Sequence, residues 1–327
     1  MGRVRAVVVA CATALTLYPT VGWAQEEALV AGCAAATSGA SELTRRFCNL
    51  VGQAVEIAQP TVGLTATGGN PVPGTASTLG MRLGSLPRFT VAVRATVTHT
   101  ELPPVLDFTD NDEIDAFLGS LNADASIGIF SGFSPAPTVG GVGSLDALAS
   151  FGYVFLPGND GFEDSPWTWA LGARLGILRE SFTLPGISVS GMYRQVGDFK
   201  IGDPRLRTED AFLDTGIGIW SLRAAVSKRI SFLGLTLGAG YDHYSSDIDF
   251  GFIDPIELDA IRVSVDDFEN DRFMVFGNVS WTILILHLVG ELGWQQGDDA
   301  TGVIPSGVVF DPEGGRFFGS LALRLSI

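Results

Sequence analysis

The chain has 327 residues, a formal net charge of −16, 41 glycines, and 17 % charged against 46 % hydrophobic residues. An acidic chain without a basic face excludes nucleic acid as a partner, because phosphate binding requires clustered Lys and Arg. Its mean hydropathy of +0.31 is high for an acidic soluble protein, yet no apolar run past the N-terminus approaches the ~18 residues of a membrane helix. The best candidate, Trp281 to Gly290, is short and interrupted by His287.

Residues 1–24 read as a secretory signal peptide. Arg3 and Arg5 form a basic start, Ala6 to Leu17 an apolar run, and Gly22-Trp23-Ala24 a small-x-small cleavage site before Gln25. Cleavage leaves the mature chain two units more negative. Cys11 departs with the leader, leaving Cys33 and Cys48. Export into an oxidising compartment makes a disulfide between them the expectation. It would close a loop of about 15 residues and contribute ~3 kcal/mol. The spacing matches no zinc motif and no His lies near, so no metal or other cofactor is implied.

Residues 25–59 differ in pattern from the rest of the mature chain. Ser41 can cap a helix running to Gln59, with Leu43, Phe47, Leu50, Ala54 and Ile57 at three- and four-residue spacing. This region reads as a periplasmic helical segment, either a plug or an extension without a gating role.

From Pro60 to Ile327 the period becomes two. At the C-terminus Phe317, Gly319, Leu321, Leu323, Leu325 and Ile327 share one face, and Arg316, Phe318, Ser320, Ala322, Arg324 and Ser326 the other. Phe89, Val91, Val93, Ala95 and Val97 alternate likewise with Thr90, Arg94, Thr96 and Thr98. About twelve such segments can be counted, each near the ~10 residues of a tilted membrane strand. They fall at Thr61–Thr67, Thr75–Leu83, Arg88–His99, Asp124–Phe133, Gly143–Leu156, Trp167–Leu178, Gly186–Val196, Thr215–Ser227, Ser231–Ser245, Arg272–Ile283, Leu286–Gln295 and Arg316–Ile327. The expected fold is therefore all-β: a closed antiparallel transmembrane β-barrel of about twelve strands, residues 60–327, behind a short helical segment. The connections alternate long and short. With both termini in the periplasm, every long one lies outside, as in outer-membrane barrels. Tyr153, Phe155, Trp167, Trp169, Tyr193, Tyr241 and Trp294 fall near outer strand ends, and Phe89 and Trp281 near inner ends, as interfacial belts require.

The register puts Arg82, Arg94, Arg174, Arg194, Arg223 and Arg324 on the lumenal face, with Asp124, Asp146, Asp242 and Glu291. Arginine on the lipid face at mid-depth costs ~2–4 kcal/mol, so the lumen is its physical default. These residues form either a constriction for anionic groups or a ladder of Arg–carboxylate pairs filling the barrel. The long connections mix acids with apolar residues such as Phe250, Phe252, Ile261, Val263 and Val265. They suggest a landing site for a hydrophobic solute, or connections that pack on one another. The acids there would equally suit divalent cations, although no EF-hand spacing is present.

The region 60–327 resembles the general class of bacterial outer-membrane β-barrel proteins, whose last strand ends in an assembly signal. Phe317-Phe318 and Leu321-Ala322-Leu323-Arg324-Leu325-Ser326-Ile327 carry that resemblance, although Ile327 stands where an aromatic residue is usual. The class implies outer-membrane lipids and the barrel-assembly machinery as partners, and the outer membrane of a diderm bacterium as location. A helical N-terminus before a barrel is also similar to hydrophobic-compound transporters of the long-chain fatty-acid type, which carry an N-terminal hatch. His243 and Ser245 resemble the His-x-Ser pair of outer-membrane phospholipases and lipid-A deacylases, though Ser246-Asp247 follows where those enzymes have Asn. The leading expectation is a passive, porin-like channel for small hydrophobic or amphipathic solutes, not an enzyme. The alternatives are a structural or surface-adhesion barrel with a plugged lumen, and a lipid hydrolase using His243 and Ser245.

Overall fold

The computed structural model describes residues 42–80, 87–102, 114–136, 139–157, 162, 164–202, 211–253, 260–297 and 314–326. A helix, α1 (Glu42–Thr67), precedes ten strands. They are β1 (Phe89–Leu102), β2 (Ile114–Phe130), β3 (Ser144–Phe155), β4 (Trp167–Leu178), β5 (Gly186–Gly202), β6 (Ala211–Ile230), β7 (Leu233–Ile253), β8 (Ala260–Ile283), β9 (Leu286–Gln295) and β10 (Arg316–Ser326). Each strand pairs antiparallel with its neighbours in sequence, and β1 pairs with β10 to close the barrel. Closure leaves no edge.

The strand number is ten, not twelve. The last ten segments expected from the period-two pattern all form strands. The first two do not: Thr61–Thr67 continues α1, and residues 75–80 carry no ladder. Thr61, Thr65 and Thr67 favour a strand by intrinsic preference, and Pro60 ordinarily ends a helix because it lacks an N–H. Tertiary surroundings override both. Inside the barrel, the Thr61 hydroxyl donates to the Ile57 carbonyl at 2.6 Å and the Thr65 hydroxyl to the Thr61 carbonyl at 2.8 Å. These bonds turn the threonine hydroxyls back onto the helix's own carbonyls. The expected boundary at Gln59 therefore falls within α1.

The three longest strands run far beyond membrane length. β6, β7 and β8 run to 20, 21 and 24 residues, so much of the connection expected at 246–271 is a projecting hairpin. Phe250 and Phe252 on it are buried with Ile248 against Leu50, Val51, Ala54 and Ile57 of α1, and Ile261, Val263 and Val265 pack on the same cluster. The apolar residues of the long connections thus meet the helix instead of forming an open landing site.

The outer wall is apolar. On β1, Phe89, Val91, Val93 and Val97 are exposed, and Thr90, Arg94, Thr96 and Thr98 between them are buried. On β10, Phe317, Leu321 and Leu323 are exposed, and Arg316, Phe318, Ser320, Ala322 and Arg324 are buried. A ring of aromatic contacts follows the wall near the long connections: Phe151 stacks on Trp167 at 5.2 Å, Trp169 meets Tyr193 at 5.9 Å, and Tyr193 meets Trp220 at 5.0 Å. Phe232 and Trp281 meet at 5.9 Å near the short turns. Between these levels β4 exposes Leu171, Leu175 and Ile177. Its run from Trp169 to Ile177 covers roughly 20 Å of depth after tilt, close to the apolar band of a membrane barrel.

Candidate functional site

The interior is occupied by the chain that precedes the barrel. α1 meets β1, β2, β3, β5, β6, β7, β8 and β10, and residues 50–70 are all buried. Its contacts descend the lumen in order. Near the long connections, Gln59 Nε2 donates to Ser246 Oγ at 2.6 Å and to the Phe268 carbonyl at 3.1 Å. Glu56 lies 3.8 Å from Arg272. One turn further, Gly63 faces Tyr244 so closely that an added Cβ would sit 2.3 Å from its ring. The Ser120 hydroxyl and the Asn122 amide then donate to the carbonyls of Thr65 and Ala66.

Gly68 ends the helix with φ +60°, and its N–H returns to the Leu64 carbonyl at 2.8 Å. A left-handed glycine is the ordinary C-terminal cap. The partial negative charge of the helix end is met by cations. Arg223 donates from Nε to the Gly69 carbonyl at 3.1 Å and from Nη2 to the Gly68 carbonyl at 3.4 Å. Arg94 Nη1 donates to the Asn70 carbonyl at 3.2 Å.

A strap of residues 68–80 continues down the wall. Glu291 accepts from the N–H groups of Gly69 and Asn70, each at 2.9 Å, and from the Asn278 amide. Asn70 Nδ2 bonds the Asn278 side chain at 3.2 Å. Arg324 holds the Pro73 carbonyl and Arg174 the Thr75 carbonyl. At the short-turn end, Asp146 accepts from the Leu79 N–H at 3.1 Å, and the Thr78 and Ser144 hydroxyls lie 2.5 Å apart.

The lumenal cations are paired across neighbouring strands. Arg94 meets Asp124 at 3.3 Å, Arg174 meets Asp146 at 2.8 Å and Arg223 meets Asp242 at 2.8 Å. Arg194 bonds Thr168 at 3.2 Å and Asn122 at 3.5 Å. These four arginines each face a strand partner, and Arg94, Arg174, Arg223 and Arg324 grip the plug backbone. Arg82 and Cys33 lie outside the described residues; Cys48 is buried on the apolar face of α1. A cavity of about 20 Å³ remains beside Thr67, Gly69, Arg94 and Arg223, and another of about 20 Å³ near Gly74, His287 and Arg324. Each has room for about one water.

Sequence reasoning missed the strap. The stretch around Asn70 reads as a long outer connection between two strands, and the Asn278–Glu291 acceptor pair that holds it lies over two hundred positions away. The only sequence signal was negative: an irregular Gly/Pro stretch between two segments too short to span.

His243 lies on the outer wall at the level of the aromatic ring, opposite Trp220, with Nδ1 2.8 Å from Asp271 Oδ1 and Nε2 3.9 Å from Glu269 Oε1. Ser245 shares that face, but the described contacts of His243 run to the two carboxylates and not to the Ser245 hydroxyl. Ser245 instead lines an outer-wall cleft of about 370 Å³ with Asp198, Asp214, Asp247, Asp249 and Asp267. Burial pushes the Asp214 carboxyl above its usual range, Lys200 opposes this, and Asp198 and Asp249 add to the rise. Among the described residues no three of His, Cys, Asp and Glu are grouped to hold a metal ion.

Fold and lumen together define a closed antiparallel ten-stranded barrel with an internal plug from its own N-terminal side. No protein-family model matches the chain, and no curated protein matches it in sequence. Among solved structures it is similar to the translocator domain of the autotransporter NalP from Neisseria meningitidis, at TM-score 0.43 and 10 % identity, covering 75 % of this chain and 90 % of that one. It is also similar to the outer membrane protease OmpT from Escherichia coli, at TM-score 0.37 and 11 % identity over 77 % and 100 % of the two chains. The Pseudomonas putida toluene transporter TodX gives TM-score 0.29 and 10 % identity over 78 % and 95 %.

Proposed function

We propose that the protein is an integral outer-membrane barrel kept shut by residues 42–80, and that it serves as a plugged membrane-embedded anchor. The apolar wall with aromatic residues at two levels suits a bilayer, since a closed barrel satisfies every strand hydrogen bond without water. The observation that carries the closed reading is the filled lumen. Residues 50–70 are buried, and four arginines hold the backbone of residues 68–75. Outer-membrane lipids surround such a wall, and the barrel-assembly machinery inserts it.

Passive transport of a small hydrophobic or amphipathic solute is the second reading, favoured by the arginines that line the lumen around the plug. It requires the strap to leave its arginines, because residues 50–70 are buried within the lumen.

Planar-bilayer recording on the full chain tests the first reading. The expected result is a silent bilayer after insertion; steady current from the unaltered chain refutes it. Spin labels on the last strand test the membrane placement. A label at Leu323 should be reached by a lipid-soluble relaxer and one at Arg324 should not; the reverse pattern overturns the lipid-facing wall.

A further inference from the structure

We propose that the chain leaves the barrel through the mouth ringed by the long connections, so that residues preceding Glu42 are presented on the cell surface. The inference rests on the outer-membrane reading, which sets that mouth outside.

The direction of α1 carries the argument. The apolar cluster that holds Cys48, Leu50, Val51 and Ala54 also holds Phe250, Phe252, Phe199 and Ala211, all from strand ends that adjoin the long connections. The middle of α1, at Gln59, meets Ser246 and Phe268. Its end, at Gly68 and Gly69, meets Arg223 and Glu291 at mid-strand. The strap then reaches Ser144 and Asp146, where β3 begins beside a short connection. Depth thus changes steadily with sequence number over residues 50–79, and the chain never doubles back. β1 starts at the short-connection end, and β10 finishes beside it. The barrel's two termini therefore share one end, while the segment leading into them enters from the opposite one. A chain whose leader directs export and whose barrel rim faces the periplasm would ordinarily keep its N-terminal side there. Here α1 carries it across the full depth of the wall.

The sequence before Glu42 suits passage through a lumen. From Ala31 to Ser41 its side chains are Ala, Gly, Cys, Thr and Ser, with no Lys, Arg or aromatic residue. The proposed activity is surface presentation: whatever is joined ahead of Glu42 is tethered outside by a barrel that its own linker closes.

The test places an epitope between Ala40 and Ser41 of the full chain. Two control chains carry the same epitope within residues 103–113 and between Ser231 and Phe232. Antibody is applied to intact and to permeabilised diderm cells. The expected result is labelling of intact cells by the first two and by the third only after permeabilisation. If the 103–113 epitope labels intact cells and the one before Ser41 does not, the proposal fails while the barrel's orientation stands. If only the Ser231 epitope labels intact cells, the outer-membrane orientation itself fails. A smaller change guards against an epitope that blocks assembly. Thr37→Lys adds a single trypsin site to a stretch, Gln25 to Thr44, that has none. Trypsin on intact cells should cut the chain after position 37, read by mass after reduction, since Cys33 and Cys48 would otherwise hold the two pieces together; an uncut chain in outer membranes overturns the proposal.

Discussion

Arg223 and Gly69, 154 positions apart in sequence, are joined by a 3.1 Å hydrogen bond from guanidinium Nε to main-chain carbonyl. Asp242 on the adjacent strand holds the same guanidinium at 2.8 Å and 2.9 Å, and itself accepts from Ser221 at 2.6 Å. One buried ion pair therefore ties the barrel wall to the plug at the point where helix becomes strap.

Arg223→Ala should open this lock from both sides. It strands a buried Asp242 carboxylate and removes donors to two plug carbonyls, a loss of about 3–5 kcal/mol by analogy with other broken buried pairs. The variant should unfold at lower denaturant and show intermittent current in planar bilayers. Arg223→Lys should recover little, because a point charge cannot serve Asp242 and the plug in the forked geometry of a guanidinium. A silent, fully stable Arg223→Ala barrel would remove the lock from the account.

Gly63 sits where α1 touches Tyr244, and the ring leaves no room for a methyl group. Gly63→Ala should cost about 1–3 kcal/mol through overpacking, in spite of alanine's better helix propensity. Pairing it with Tyr244→Leu should couple favourably in a double-mutant cycle, at about 0.5–3 kcal/mol. Strict additivity of the two changes would mean that helix and β7 do not touch in the membrane.

The alternation of side chains revealed most of the wall. Period two marked every strand that forms, with the outward Phe317, Leu321 and Leu323 and the inward Arg94, Arg174, Arg194, Arg223 and Arg324, but it also marked two further segments, at Thr61 and Thr75, that are not strands. Period says nothing about what fills the space between facing walls. Asn70, Asn278 and Glu291 act together only because the barrel brings them together, so no local pattern marks them. Thr61–Thr67 shows the opposite failure: a segment with strand chemistry is helical because its backbone must satisfy itself in a lumen with no strand edge to join.

Asp214 makes the outer rim sensitive to acid. Its carboxyl titrates above the usual carboxylate range, so the folded rim binds a proton more readily than the unfolded chain does. Falling pH through that raised value therefore adds stability to the rim, and rising pH withdraws it. Hydrogen-exchange protection at the outer ends of β6 and β7, corrected for the intrinsic pH dependence of amide exchange, should rise on mild acidification, and Asp214→Asn should raise it at neutral pH and flatten the pH response. Lower protection in acid for the native chain contradicts this sign.

Catalysis by Ser245 is expected to be absent. His243 has an orienting carboxylate in Asp271, but its other ring nitrogen looks toward Glu269 at 3.9 Å and not to a serine. Purified protein should release no fatty acid from phospholipid or lipid A, and Ser245→Ala should behave as the parent. Ser245-dependent release would make the outer wall an active site.

Cys33 and Cys48 are expected to form a disulfide, as the exported compartment favours. Mass analysis of denatured, unreduced protein should find the two thiols two hydrogens short, and alkylation of both without reductant would contradict the pairing.

The plug also constrains the order of assembly. Arg324 on the last strand holds Pro73, 251 positions earlier, and β1 meets β10 in the seam that completes the cylinder. Once that seam has zipped, residues 50–79 can enter only end-on, through a bore with almost no spare volume. Sealing must therefore come last, around a chain already lying in place, and the contacts that secure it are among the most distant the sequence allows. Such long-range closure is slow. Before it happens, the unzipped β1 and β10 edges are the protein's most vulnerable surfaces.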